Sequence, residues 1–226
     1  MKQIADNIWT HDSKLAAGPF GTFELGARMT AIRLAHGIFL HSPVKLDPEL
    51  KRQIDELGPL TVVVSPNRLH HLFIGDYFAA YPQAQIYAAP GLPEKRRDLK
   101  FHSTLADEPA PEWSRQLEQH LVSGASFMNE TVFFHPPSRT LVTTDLVFNM
   151  QRTESMFDAV VLRMLGDFGT VGVGYPGRLM FLMRLAQNRP SIDRILQWDF
   201  DRIIMAHGDI VESGGKEALR AAFSFL

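Results

Sequence analysis

Short apolar runs separated by turn residues dominate the first 90 positions of the chain. Residues 31–34 and 37–41 predict two short strands joined by a turn at His36-Gly37. Residues 60–64, Leu-Thr-Val-Val-Val, are rich in β-branched side chains, which is typical of a strand buried on both faces. A further strand is predicted at 85–89, so this part of the chain is expected to form a sheet.

Helical periodicity alternates with these strands. Asp47 can cap a helix in which Pro48 occupies the first turn and which Gly58 ends. The predicted helices cover residues 48–57, 73–80, 178–188 and 191–197, with Ser191 as the cap of the fourth, and a last helix begins at Lys216. Residues 179–185 could lie in the core or at an interface, and the core is preferred because a helix that is apolar nearly all round is usually buried.

The second half of the chain adds antiparallel strands. Residues 131–135 and 140–144 flank a four-residue turn and predict a hairpin, and strands are also predicted at 117–121 and 202–206. Residues 90–113 are predicted to be a surface connection. Alternating strands and helices together with hairpins favour an α/β fold with mixed sheets and flanking helices, and we expect residues 1–226 to form one domain.

Composition and charge narrow the possible partners. The chain has 23 Lys and Arg residues against 25 Asp and Glu residues, and its formal net charge of −2 offers no global attraction to nucleic acid or to an anionic membrane. No stretch approaches the ~20 consecutive apolar residues of a membrane span, and residues 1–7 contain no signal-peptide run. The sequence therefore predicts a cytoplasmic protein that acts on a small molecule of unknown identity, and it does not indicate an oligomeric state.

The chemistry must be sought among histidines and carboxylates, because the chain contains no cysteine for disulfides, thiolate metal sites or a nucleophile. Polar residues follow three predicted strands: His70 and His71, then Asp145, then His207. Loops converge where strands end, so these residues can meet. Three imidazoles and a carboxylate suit zinc, iron or manganese. The alternative is exposed loop histidines, a turn-capping Asp145 and a hydrogen-bonded His207.

Other candidate chemistry is disfavoured. A serine hydrolase of the nucleophile-elbow type is not expected, because the chain has no Gly-x-Ser-x-Gly motif. The histidines at positions 102, 120 and 135 are predicted to be surface residues.

Six short motifs occur in a definite order along the chain: Asp6–Trp9, Ser65–His71, Tyr81–Ala84, Ala89–Leu92, Ser138–Leu146 and Ala206–Gly208. Their order resembles the metallo-β-lactamase-like superfamily, and in particular its uncharacterised, domain-of-unknown-function branch with a Pro-Asn-x-x-His-His motif. The resemblance covers nearly the whole chain up to Gly208. It implies an αβ/βα sandwich of two mixed β-sheets flanked by helices, with metal bound at the edge of the sheets.

The same resemblance implies a reduced metal site. Hydrolytic members carry His-x-His-x-Asp-His, and an ungapped alignment places Pro66 and Arg68 where the first two histidines would stand, while Asn67 can contribute an oxygen nearby. The next family ligand follows a Gly-His-Thr pattern, but residues 122–127 here read Val-Ser-Gly-Ala-Ser-Phe. Asp145 and His207 match the bridging aspartate and the last histidine. The implied ligands of one transition-metal ion are therefore His70, His71, Asp145 and His207.

Two functional hypotheses follow. In the first, the protein is a metal-dependent hydrolase with one surviving metal site, in which Asp145 is also the candidate catalytic group that orients water. In the second, it is a non-catalytic relative that uses the same fold to bind a ligand or partner. Under the first hypothesis we expect at most one ion per chain and poor turnover of β-lactams, because a two-metal site needs two complete ligand sets.

Residues 148–177 mix Met, Phe and Gly without a stable period. We expect this segment to form a mobile cover over the metal site, in which Met150, Met156, Phe157 and Phe168 provide adaptable apolar contacts.

Overall fold

Two β-sheets packed face to face form the centre of the molecule, and helices cover their outer faces. The computed structural model describes residues 1–17, 23–24, 26–122, 124, 128–152, 156–166 and 168–226. Its strands are β1 (Lys2–Ala5), β2 (Ile8–Ser13), β3 (Ala16–Ala17), β4 (Phe23–Glu24), β5 (Ala27–Leu34), β6 (Gly37–His41), β7 (Leu60–Ser65), β8 (Gln85–Ala88), β9 (Ser103–Thr104), β10 (Glu118–Val122), β11 (Glu130–His135), β12 (Thr140–Val142) and β13 (Arg202–Ile204). Its helices are α1 (Pro48–Leu57), α2 (Ile74–Ala80), α3 (Leu92–Lys95), α4 (Met156–Leu165), α5 (Tyr175–Met183), α6 (Leu185–Ile195) and α7 (Gly215–Ala222).

Both main sheets are mixed. The larger sheet has the strand order β1-β2-β5-β6-β7-β8-β9, antiparallel as far as β6 and parallel from β6 to β9. The smaller sheet has the order β10-β11-β12-β13, antiparallel as far as β12 and parallel between β12 and β13. Strands β3 and β4 pair separately. The predicted fold class, a sandwich of two mixed sheets flanked by helices, is confirmed.

The layers are held together by three apolar cores. The inner core joins the two sheets, and in it the ring of Phe39 from β6 packs edge-on against Phe133 from β11 at a centroid distance of 5.1 Å. A second core packs α1 and α2 onto the larger sheet, and a third packs α5, α6 and α7 onto the smaller one. Each fully buried Phe, Leu or Ile contributes about 1.5–3 kcal/mol relative to exposure, so these faces account for the layered architecture.

Several predicted elements are confirmed. The Oδ1 atom of Asp47 accepts the backbone N–H of Leu50 at 2.8 Å, so Asp47 caps α1 as expected. The run at 60–64 is β7, which has parallel neighbours on both sides and four fully or nearly fully buried residues in succession. The hairpins at 31–41 and 131–144 are the pairs β5–β6 and β11–β12.

The helical boundaries after residue 174 differ from the prediction. Helices α5 and α6 meet at Arg184, and Pro190 lies inside α6. Ser191 is therefore an internal residue and not a cap. A proline in a helix removes one hydrogen bond, but the buried Ile192 and Ile195 attach this part of α6 to the core, which keeps the helix continuous.

Two other predictions are wrong. Residues 90–113 contain α3 and the edge strand β9, so they are more than a surface connection. Within 179–185 only Phe181 belongs to the core, whereas Leu179 and Met183 are 62% and 76% exposed. Among the described residues, no helix combines the length and the apolar character needed to cross a bilayer.

A buried histidine lies at the end of β6. His41 is 1% exposed, its ring packs edge-on against Phe133, and its Nε2 atom has no hydrogen-bond partner among the described residues. Burial lowers the pKa of His41 to about 3, and the charge of His70 adds to this effect. The folded protein therefore keeps this ring neutral at acidities where the unfolded chain protonates it.

We predict that His41 makes the protein acid-sensitive. Between pH 6.5, the ordinary pKa, and about pH 3, His41 is protonated in the unfolded state but stays neutral in the folded state. The free energy of unfolding therefore falls as the pH falls through this window. On going from pH 7 to pH 5, the wild type should lose about 2 kcal/mol more unfolding free energy than His41→Leu. Urea unfolding of both proteins at the two pH values measures this difference, and equal losses would contradict the prediction.

Candidate metal centre

Three side chains distant in sequence meet at one end of the sandwich. Histidine or carboxylate ligand atoms of His70, Asp145 and His207 all lie within 4.8 Å of one another. The Nε2 atoms of the two histidines are 3.2 Å apart, and each lies 3.2–3.3 Å from a carboxylate oxygen of Asp145. The three side chains are 11%, 9% and 2% exposed, respectively, so the group is nearly closed to solvent.

The topology explains why these residues converge. His70 follows β7, Asp145 follows β12, and His207 follows β13, each beyond the carboxyl end of its strand. Strands β12 and β13 are parallel neighbours in the smaller sheet, and β7 is an interior strand of the facing sheet. Because the sheets pack face to face, the three strand ends open onto the same rim.

Asn67 orders the turn that carries His70. Its Oδ1 atom accepts the backbone N–H groups of Leu69 and His70, both at 2.8 Å. Its Nδ2 atom donates to Oδ2 of Asp145 at 2.7 Å and to Oγ1 of Thr144 at 2.9 Å. Since the amide oxygen is occupied by two backbone donors, the expectation that Asn67 contributes an oxygen ligand is wrong. Asn67 instead links two members of the group.

Each imidazole is held through Nδ1, so its Nε2 atom faces the centre of the group. The Nδ1 atom of His207 donates to the backbone oxygen of Gly26 at 2.8 Å, which leaves an unprotonated Nε2 in the neutral ring. The Nδ1 atom of His70 lies 2.8 Å from Oγ of Ser42. Ser42 has a φ of 56°, an uncommon conformation for a residue with a side chain. The turn after β6 is therefore strained at the residue that orients His70.

The loop of His207 is fixed from two sides. The Nη1 atom of Arg28 donates to the backbone oxygens of Met205 and Gly208 at 2.9 and 2.7 Å. Gly208 has a φ of +88°, and a Cβ atom there would lie 2.2 Å from the backbone oxygen of Asn149. Only glycine fits this position, which places the loop directly against residues 149–150.

Glu130 fixes the backbone at Asp145 through hydrogen bonds. Its buried carboxylate accepts the backbone N–H of Thr144 at 2.7 Å and that of Asp145 at 2.8 Å. Burial raises the pKa of Glu130 to about 7, and the negative charge of Asp145 adds to the rise despite the two backbone donors. Glu130 thus fixes the backbone of a carboxylate ligand candidate without itself joining the group.

His71 lies outside the group of three, although it lines the same cavity of about 170 Å³. Its Nδ1 atom lies 3.3 Å from Nη1 of Arg96, which also donates to the backbone oxygen of His71 at 3.1 Å. Burial lowers the pKa of His71 to about 4, and the charges of Lys95 and Arg96 contribute to the shift. Consecutive residues of a turn point in different directions, so the structure does not bring His71 together with the other three predicted ligands.

The donor atoms suit a transition-metal ion. Burial acts to raise the pKa of Asp145, but the electrostatic influence of the neighbouring imidazoles of His70 and His207 outweighs it and holds this pKa below its usual range. In a tetrahedral shell with bonds of about 2.0–2.1 Å, ligand atoms are separated by about 3.3–3.4 Å. The observed separations of 3.2–3.3 Å match this spacing. Two imidazoles and a carboxylate fit zinc, as well as iron(II) or manganese(II).

An apolar cavity of about 310 Å³ adjoins the first one, and Asp145 lines both. Residues of the 148–177 segment line it, including Phe148, whose ring stacks on His207 at a centroid distance of 5.6 Å. The segment contains α4, so it is more regular than its sequence pattern suggested. Residues 153–155 and 167 and the side chain of Met156 lie outside the described part, and the expected mobility of the segment stays a prediction.

Sequence reasoning missed the residues that orient the group. Ser42 and Gly26 act on the imidazoles, and Glu130 acts on Asp145, yet none is close to its partner in sequence. The only available signal for Glu130 was a carboxylate directly before the β-branched and aromatic run Thr131–Phe134. Of the segment 122–127, in which no family ligand was found, residues 123 and 125–127 lie outside the described part of the chain.

Residues 5–160 match a family model described as "Domain of unknown function (DUF4336)". The matched part includes His70 and Asp145 and ends before His207. No curated protein matches the sequence.

Similar solved structures are metallo-β-lactamases. The enzyme DIM-1 exposed to ceftazidime has a TM-score of 0.68 at 18% identity, over 99% of this chain and 95% of that chain. The enzyme from Pontibacter korlensis has a TM-score of 0.67 at 16% identity, over 99% and 96%. The enzyme from Erythrobacter litoralis has a TM-score of 0.67 at 12% identity, over 100% and 96%. At these identities the similarity establishes the metallo-β-lactamase fold alone.

A different polar cluster joins a loop, β10 and α6. Asp107 Oδ1 lies 2.7 Å from Nδ1 of His120, and Nε2 of His120 lies 2.5 Å from Oγ of Ser191. His120 is buried, so the prediction that it is a surface residue is wrong, and the same holds for His135, which contacts Ser138. His102 is exposed, as predicted.

The cluster has the connectivity of a Ser-His-Asp triad, but the described residues do not supply the oxyanion hole that such a triad uses in catalysis. Residues around Ser191 use their N–H groups for the hydrogen bonds of α6, and Pro190 has none, so the described residues offer no oxyanion hole there. Burial lowers the pKa of His120 in spite of the neighbouring carboxylate of Asp107. The cluster therefore ties α6 to the smaller sheet.

We predict a stabilising and non-catalytic role for Ser191. Ser191→Ala leaves the buried Nε2 atom of His120 without its partner, so the free energy of unfolding should fall by about 1–3 kcal/mol. The exposed Ser114→Ala is the control, with no comparable loss expected. Denaturant unfolding measures both variants, and labelling of Ser191 by a fluorophosphonate would contradict the structural role.

Proposed function

The chain belongs to the DUF4336 family, and we propose that it is a metal-dependent hydrolase that holds one transition-metal ion on His70, Asp145 and His207. The observation that carries the proposal is the set of two Nε2 atoms and a carboxylate that face one another at the spacing of a metal shell. Three protein ligands leave a coordination position open for water or substrate, as catalytic zinc sites do. A fourth protein ligand would close it, which is a reason to place His71 outside the ligand set.

A bound zinc, iron(II) or manganese(II) ion would supply a Lewis acid that polarises a carbonyl or phosphoryl group and lowers the pKa of water. The residues of the chain would hold the three ligands in position. Ser42 and the backbone oxygen of Gly26 hold the two imidazoles, while Asn67 and Glu130 hold Asp145. Partners of this kind orient ligands and raise their basicity.

Asp145 is the proposed catalytic carboxylate. In a hydrolysis, the oxygen of water bonds to carbon or phosphorus, the bond to the leaving group breaks, and a proton of the water passes to the leaving group. A carboxylate whose pKa is held low stays ionised across the neutral range and can accept a hydrogen bond from water. Its position between the two histidines and the apolar cavity places it next to an incoming substrate.

We predict one tightly bound ion per chain. Titration of metal-free protein with zinc and with iron(II), followed by elemental analysis after desalting, should give a single equivalent. Loss of a residue that only orients a ligand typically weakens metal affinity about 10–100-fold. His207→Ala removes a ligand itself and should weaken the affinity for the ion by more than this. His71→Ala is the control and should keep one ion per chain.

Hydrolytic activity should change in the same way as metal binding in these variants. Hydrolysis of p-nitrophenyl esters and of a phosphodiester analogue should disappear in His207→Ala and persist in His71→Ala, whereas a β-lactam should be turned over poorly. Two tight ions per chain, or loss of the ion in His71→Ala, would contradict the proposed ligand set. One bound ion without hydrolysis of any substrate class would favour the alternative, a ligand-binding module.

We also predict that Asn67 tunes the site through Asp145. Asn67→Ala removes the donor to Oδ2 and the acceptor for the turn of His70, so metal affinity should fall about 10–100-fold. Calorimetric titration measures the affinity, and circular dichroism confirms that the variant remains folded. An unchanged affinity in a folded variant would show that this contact does not orient the ligands.

A further inference from the structure

The apolar cavity beside Asp145 has no role in holding the proposed ion. It lies between α4, α5 and the rim of the sheets, and its walls include Leu69, Leu165, Met180 and Phe181. Its volume of about 310 Å³ lies at the lower end of the range of about 300–1,000 Å³ that is usual for small-molecule sites.

The cavity adjoins the proposed metal group directly. Asp145 and Leu69 line both this cavity and the smaller one that contains His70 and His207. Phe148 forms part of the wall and stacks on the ring of His207. A molecule whose polar group lies at the three proposed ligands can therefore extend into the apolar cavity without leaving the site.

The chemistry of the walls selects an uncharged occupant. Among the described lining residues, Asp145 alone carries a charge, and its oxygens face Asn67, His70 and His207. The remaining walls offer aliphatic and aromatic side chains and residues without polar side chains. Burying a charged group there would cost far more than it gains, whereas each buried methylene gains about 0.8 kcal/mol.

One apolar side chain of the cavity wall reaches the surface. Leu69 lines the cavity and is 45% exposed. An exposed apolar side chain at the edge of a cavity is a feature of binding surfaces. Leu69 therefore provides an apolar edge at which a hydrocarbon group can enter.

We infer that this cavity binds the uncharged hydrocarbon group of an amphiphilic substrate whose hydrolysable polar bond lies at His70, Asp145 and His207. The inference rests on the proposed function for the polar end of the substrate, and on the cavity alone for the hydrocarbon end. The substrate class is then an ester, amide or phosphoester that carries an alkyl or acyl chain.

The cavity is tested first without metal. Displacement of the neutral fluorescent probe N-phenyl-1-naphthylamine by n-butanol, n-hexanol and n-octanol should show a Kd that falls about fourfold per added methylene. Met180→Trp should fill the cavity and abolish binding, whereas Met183→Trp, on the exposed face of the same helix, should not. Leu165→Phe and the exposed Met164→Phe form a second matched pair on α4.

The link to the metal group is tested with n-alkyl hydroxamates, whose head groups chelate metal. In metal-loaded protein, affinity should rise with chain length by the same factor, and Met180→Trp should remove this dependence while the head group still binds. No dependence on chain length, or equal effects of Met180→Trp and Met183→Trp, would overturn the inference. Alkanol binding by protein that takes up no metal would refute the proposed function and leave the hydrocarbon site standing.

Discussion

A carboxylate enclosed between two imidazoles is the constraint on which the site depends. Asp145 is nearly buried, and a buried negative charge is tolerated only where positive or hydrogen-bonding groups surround it. Asn67 and the two histidines face its oxygens, and Glu130 accepts its backbone N–H. These partners come from both sheets, so the electrostatic needs of one side chain fix the way in which the two sheets meet at this rim.

Much of the fold could be predicted from local pattern. The run at 60–64 identifies β7 because a strand covered on both faces cannot alternate polar and apolar residues. Asp47 marks the start of α1 because capping is a local interaction. The pattern fails at Pro190 and Ser191, where contacts of Ile192 and Ile195 with the core keep a helix continuous through residues that usually begin or end one.

The candidate site could be predicted only in part, because its geometry depends on contacts between residues distant in sequence. Residues beyond the ends of strong strands converge, and the sequence shows where the strands end. It does not show which way a side chain points, so His70 and His71 are indistinguishable in sequence. The structure separates them through Ser42 on one side and Arg96 on the other. The contacts of Gly26 and Glu130 span the chain and leave no local pattern.

Residues that meet at the site lie far apart along the chain. His70 and His207 are 137 residues apart, Asn67 and Asp145 are 78 apart, and the parallel pair β12–β13 joins segments more than 50 residues apart. Closing such long loops costs entropy before stabilising contacts form, and folds rich in non-local pairings therefore form slowly. Uptake of an ion by all three ligands would therefore mark the end of folding, since it requires β13 to have docked beside β12.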